Sequence, residues 1–161
     1  MPGKLMADPD LCVNCRMCEM VCSLTKASVF NPSKARIWID RREGGSLVQV
    51  HHCRHCVVAP CVKACPVQEP KPIWREPASG IVRLESQRCI GCCECLRACP
   101  FGAVRFDPQE ERAFKCDLCG GDPECVKWCP TGAIRFVDIK AMGTWRARSK
   151  GLGGLRSSQG E

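Results

Sequence analysis

Between Cys89 and Pro100 the chain reads CIGCCECLRACP. Passing over Cys93, its thiols fall at Cys89, Cys92, Cys95 and Cys99, with gaps of two, two and three residues and a proline directly after. Three soft thiolates this close together can wrap one inorganic iron–sulfur cube and bind three of its irons. The fourth follows where the chain turns into a helix, and it points away from that cube toward a neighbouring one. Pro100 fixes φ at that turn and removes an N–H there. The chemistry on offer is one-electron transfer. Its potential can fall anywhere in a range of roughly −700 to +450 mV, set by charge, sulfur hydrogen bonds and exposure.

The pattern recurs. Cys12, Cys15, Cys18 and Cys22 form group one, with the same gaps and Ser23 in place of the proline. Cys53, Cys56, Cys61 and Cys65 form group two, with gaps of two, four and three, Pro60 lying in the wider loop. Cys89, Cys92, Cys95 and Cys99 are group three. Cys116, Cys119, Cys125 and Cys129 are group four, with gaps of two, five and three and a Gly-Gly-Asp-Pro insertion. Sixteen of the 17 cysteines are thereby used, enough for four 4Fe–4S clusters. Cys93 is the remainder. Using it in place of Cys92 breaks the gap of two on both sides, so it is expected to be a non-ligand packed as a small apolar residue. His51, His52 and His55 crowd group two. Its four thiols already suffice, so these rings are expected to cap sulfurs or meet solvent and not to bind iron.

Little else in the chain can position these groups. Leu, Ile, Val and Phe make up only about a fifth of its 161 residues, close to the level below which chains stay unfolded. Metals must staple so poor a core. Residues 36–40 and 46–50 read as a β-hairpin with its turn at 41–45. Residues 67–77, rich in proline, read as loop, and 80–84 as a strand leading into group three. CPFGAVRFD after group three and CPTGAIRFV after group four are an internal repeat of turn and strand. From 143 to 161 the chain is Gly-rich, basic and without apolar periodicity. It reads as a flexible C-terminal tail, or as an arm that orders on a partner through Trp145, Leu152 and Leu155.

The formal charge of +7 suggests nucleic acid. Four thiolate-bound cubes would bring it to about −1, with Arg16, Arg54, Lys63, Arg88, Arg97, Lys115 and Lys127 offsetting the buried negative charge. With nine Phe and Trp and no Tyr there is no base-stacking platform, so no nucleic-acid partner is expected. Zinc modules place two C-x2-C pairs a dozen or more residues apart, unlike these groups; a zinc-binding interaction module is the remote alternative. The chain lacks phosphate-binding loops and free nucleophile–base constellations, so it is expected to be no enzyme by itself. The N-terminus has no signal-peptide pattern and there is no long apolar run. The expectation is a cytoplasmic protein without a membrane span, its thiols reduced and metal-bound.

Four cysteine groups in this order, with the wide fourth group CDLC…CVKWCPTGAI, resemble the four-cluster iron–sulfur subunits of the dimethyl sulfoxide reductase type. That family includes the electron-transfer subunits of formate dehydrogenase, hydrogenase and carbon monoxide dehydrogenase. Within it, CSLTKASVFNPSKARI and KCDLCGGDPECVKWCPTGAI are most similar to the small subunit that accompanies tungsten aldehyde:ferredoxin oxidoreductases. The resemblance implies an α+β fold of two bacterial-ferredoxin-like units around four cubes. The outer unit, 1–52 with 101–142, holds groups one and four; the inner, 53–100, is inserted in it and holds groups two and three. Each group gives three ligands to its own cube and its last cysteine to its partner group's cube. The implied role is to relay electrons from a large tungsten- or molybdenum-cofactor subunit to a flavin subunit or ferredoxin, with further copies of the chain as another contact. An autonomous polyferredoxin is the rival. CPVQEP after group two and Ser23 depart from the family pattern.

Overall fold

A chain this poor in large apolar residues cannot build broad sheets, and its strands come in pairs. The computed structural model describes residues 3–41 and 48–138. In chain order the elements are β1 (Gly3–Ala7), α1 (Met17–Ala27), β2 (Trp38–Arg41), β3 (Val48–His51), α2 (Pro60–Lys63) and β4 (Ile73–Arg75). There follow β5 (Val82–Leu84), α3 (Glu94–Arg97), β6 (Val104–Asp107), β7 (Arg112–Lys115), α4 (Glu124–Lys127) and β8 (Ile134–Asp138). The strands form four two-stranded antiparallel sheets: β1 with β8, β2 with β3, β4 with β5 and β6 with β7. This is a small mixed helix–strand fold of the ferredoxin-like kind.

Each cysteine group runs into one of the helices. The third and fourth cysteines of a group are four residues apart, one helical turn, and so tend to share a helix face. α1 packs on α4 and α2 on α3, bringing group one against group four and group two against group three. Sulfur is also what the core is made from. One buried cluster joins Leu5, Ile37, Leu118 and Ile134 to Cys18, Cys22, Cys53, Cys116 and Cys125. A second joins Ile73, Val82 and Val104 to Cys61 and Cys95.

Ser23 accounts for the one long helix. Prolines follow the last cysteine of groups two, three and four, and there the helices are four residues long. With Ser23 in that place α1 continues to Ala27, eleven residues in all. The buried Ser23 hydroxyl donates to Met20 O (2.9 Å) and accepts from Asn31 N (3.1 Å), so it also holds the returning chain. At the helix end Ser28 takes a left-handed conformation and its N–H bonds Leu24 O.

Two expectations are corrected. The proline-rich stretch 67–77 is not all loop: β4 forms inside it, between Pro72 and Pro77, where three residues without proline can donate to a ladder. The strand predicted over 80–84 shortens to β5, because Gly80 turns at φ +70°. The strand after group three, β6, pairs with β7, whereas its repeat β8 closes on β1. The hairpin expected over 36–50 is present as β2–β3, while most of its turn lies outside the described residues, as does the tail at 143–161.

A proline at position 23 restores the local pattern of the other groups inside a longer helix. Ser23→Pro should remove one helical hydrogen bond and cost about 3 kcal/mol or more. The measurement is the urea midpoint of visible and far-ultraviolet bleaching under argon; an unchanged midpoint contradicts this account of α1.

Candidate metal centre

Wrapping a loop round a compact anionic body requires peptide N–H groups to turn inward, which alternating right- and left-handed residues achieve. Every cysteine group does this at the same place. The residue before the second cysteine has positive φ in all four: Asn14 (56°), His55 (46°), Gly91 (72°) and Leu118 (55°). A second left-handed residue, Arg16, Ala59 or Cys93, precedes helices α1, α2 and α3. Gly91 is also sterically required, since a Cβ there would stand 2.5 Å from Glu111 O. The left-handed positions were legible at Asn14 and Gly91, whose residue types favour them, and not at His55 or Leu118.

Cys93 is thereby explained as a hinge. It caps α3 at φ 61° where Arg16 and Ala59 stand in groups one and two, and its Sγ bonds Gly91 O at 3.3 Å.

Backbone N–H groups meet the sulfurs. Arg36 N donates to Cys22 Sγ (3.3 Å), His55 N to Cys53 (3.4 Å), Ala103 N to Cys99 (3.3 Å), Ala113 N to Cys89 (3.5 Å) and Leu118 N to Cys116 (3.4 Å). No disulfide joins the cysteines, and the third of each group, Cys18, Cys61, Cys95 and Cys125, is buried. Burial pushes the Cys18, Cys95 and Cys116 thiols up to about 12 and raises those of Cys22, Cys61 and Cys125. Cys129 lies below the ordinary thiol value: burial alone would raise it, but the backbone N–H of Ile134, with further bonds from Thr131 and Ala133, outweighs that. The raised thiols are protonated at neutral pH unless a metal replaces the proton.

The thiols of different groups come together in pairs of groups. Cys22 of α1 is within electrostatic reach of Cys116, Cys119 and Cys125, and Cys125 also of Cys18. Cys61 is similarly near Cys53 and Cys99, and Cys95 near Cys61, Cys89 and Cys92. Cys116 and Cys53 connect the two pairs. Among the described residues no three His, Cys, Asp or Glu side chains converge on a space fit for one metal ion. An all-thiol donor set suits a structural zinc ion and an iron–sulfur cube alike; the inward N–H groups suit the larger anionic cube. Apolar residues stand exposed beside the outer cysteines: Val13 and Met17 about Cys15, Ile90 after Cys89 and Trp128 before Cys129.

The histidines do not meet solvent throughout. His52 and His55 are buried, and burial lowers them to about 4 and about 3, so both are neutral at pH 7. His55 Nδ1 accepts from Val82 N at 3.0 Å, which puts its proton on Nε2; that atom has no protein hydrogen-bond partner among the described residues. His51 stacks on Trp38 with centroids 5.1 Å apart. Most of the expected counter-charges are spent elsewhere. Arg16, Arg88, Arg97 and Lys127 pair with surface or helix carboxylates, Arg54 lies over Phe101, and Lys63 is exposed. Lys115 alone of the seven is deeply buried.

A family model described as a 4Fe–4S dicluster domain matches residues 46–139. The polyferredoxin-like subunit of aliphatic sulfonate oxidoreductase from Pyrococcus furiosus is 35% identical over 117 residues, 73% of this chain and 65% of that protein. The formate dehydrogenase-O iron–sulfur subunit of Escherichia coli is 34% identical over 136 residues, 71% of this chain and 44% of that protein. The chain thus spans less than two thirds of the length of either relative. A chain in the active-site complex BamBC of benzoyl coenzyme A reductase with 1,5-dienoyl-CoA aligns with a TM-score of 0.50 at 22% identity, over 96% of this chain and 92% of that one, a likeness of fold alone. Among the described residues no helix is long and apolar enough to cross a membrane.

If Cys93 is only a hinge, Cys93→Ser keeps the full iron content and visible spectrum of the protein. Cys92→Ser loses about one cube's worth of iron. Anaerobic iron analysis of the two side by side checks it, and equal losses contradict it.

Proposed function

Because this chain belongs to the 4Fe–4S dicluster domain family, we propose that it is an electron-transfer subunit holding four 4Fe–4S cubes. Cys12, Cys15 and Cys18 with Cys129 hold one, and Cys116, Cys119 and Cys125 with Cys22 the second. Cys53, Cys56 and Cys61 with Cys99 hold the third, and Cys89, Cys92 and Cys95 with Cys65 the fourth. When bound, the cubes supply one-electron transfer. The residues of the chain hold them in line, turn N–H groups onto their sulfurs and exclude water from their inner faces.

The observation that carries this reading is the placement of Cys22, remote in sequence from group four, beside Cys116, Cys119 and Cys125. That placement is what a cysteine serving group four's cube requires. The two units follow from the same pairing: an outer one of residues 1–52 and 101–142, and an inner one of 53–100. The order of thiol neighbours, from group one through Cys22, Cys116 and Cys53 to Cys61 and Cys95, supports a single path, with exposed apolar residues beside the thiols at each end.

On this reading one end docks a catalytic subunit with a tungsten or molybdenum cofactor, of the aldehyde oxidoreductase or dimethyl sulfoxide reductase kind. The other docks a flavin subunit or ferredoxin. The names of the relatives, subunits of sulfonate oxidoreductase and formate dehydrogenase, support the subunit role.

Anaerobically purified protein should carry about sixteen iron and sixteen sulfide per chain. Cys22→Ala should alter the spectroscopic signature of the cube beside Cys116 and spare that beside Cys12. A plateau at half that iron, or loss of the group-one signature instead, overturns the assignment.

A further inference from the structure

Lys115 is 3% exposed, on the last residue of β7 and one residue before group four. Its Nζ donates to Val82 O of β5 and to Cys116 O, the latter at 2.7 Å. Val82 is held from its other side as well, since its N–H donates to His55 of group two. One buried peptide of β5 is therefore fixed between a group-two loop and a group-four strand, with the lysine at the centre.

A buried ammonium is costly unless a negative charge answers it. No carboxylate pairs with Lys115 among the described residues. Asp117, two residues on, is already engaged by Lys26 (2.8 Å) and Arg36 (3.2 Å). What does lie within electrostatic reach is sulfur, from both sides: Cys61 of group two and Cys116 of group four. Two backbone carbonyls orient the cation but carry no net charge to neutralise it.

We propose that Lys115 is a positioning residue and the buried counter-charge of the two middle thiolate sets, clamping group two to group four and raising the reduction potential there. The proposal rests on the reading of groups two and four as cluster ligands. A fixed positive charge in a poorly screened interior favours the state with one more electron, and more strongly than a surface charge can. The effect falls with distance, so the sets built on Cys12 and on Cys89 feel it less.

The test compares the full chain with Lys115→Gln, Lys115→Met and Lys115→Arg. Each is purified without oxygen, assayed for iron and sulfide, and titrated with dithionite while electron paramagnetic resonance is recorded. Glutamine keeps a hydrogen-bond donor without the charge; arginine keeps the charge. In fully loaded glutamine and methionine variants, the reduced-to-oxidised ratio of the middle sets at fixed potential should fall tenfold or more. That is a shift of about 59 mV or more to lower potential, with arginine close to the parent.

If neither neutral variant retains iron while arginine does, the charge is needed to hold the sets, which also supports the proposal. A fully loaded neutral variant whose reduced-to-oxidised ratios at fixed potential all stay within threefold of the parent overturns it. So does loss of iron in all three variants, which makes the lysine a matter of shape. Failure of the underlying reading shows separately, as unmodified protein with about half the expected iron or none.

Discussion

Burial drives the thiols of Cys18, Cys95 and Cys116 up to about 12, so sulfur in this interior cannot carry charge unless charge or donors meet it. The chain answers in several ways. Left-handed residues turn N–H groups inward at each group, and five backbone amides reach sulfur directly. On the proposed reading iron would be the largest answer, since it displaces the proton from the thiols it binds. Each four-residue helix carries the third cysteine of its group.

The same constraint decides what could be read from the sequence. Ligand spacing is local, a few residues wrapped on one body, and the four groups with the exclusion of Cys93 stand out in the primary structure. The pairing of α1 with α4 is not local and came from resemblance, as no rule of spacing brings Cys22 to Cys116. β4 was hidden because prolines flank it on both sides, though none occupies a laddered position. FGAVRFD and GAIRFV repeat in sequence, yet β6 and β8 take different partners. Their partners differ because β7 follows β6 at once, while β8 has only the distant β1 to cover its edge.

Charge was misread in a more instructive way. Seven basic residues beside cysteines looked equivalent as counter-charges in a list of residues. In the fold, sequence neighbours at three-residue spacing claim several of them: Arg16 with Glu19, Arg88 with Glu85 and Arg97 with Glu94. The pairs of Arg88 with Glu85 and Arg97 with Glu94 are exposed and contribute little stability. Lys115 is different because it lies on β7, whose last three residues, Ala113 to Lys115, are all buried. Glu19 is the acidic counterpart, buried beside Cys18 with Oε1 accepting from Ile39 N at 2.6 Å. The interior is thus positive near the middle sulfurs and negative near the first group.

The pairing of β1 with β8, Gly3 opposite Asp138 and Ala7 opposite Ile134, also has a consequence in time. During synthesis the first strand leaves the ribosome long before its partner exists, and its edge stays open meanwhile. Helices α2 and α3, which pack together, are complete while α1 still lacks α4. The middle of the molecule thus needs only chain already made, while β1 and α1 wait for β8 and α4, partners far away in sequence.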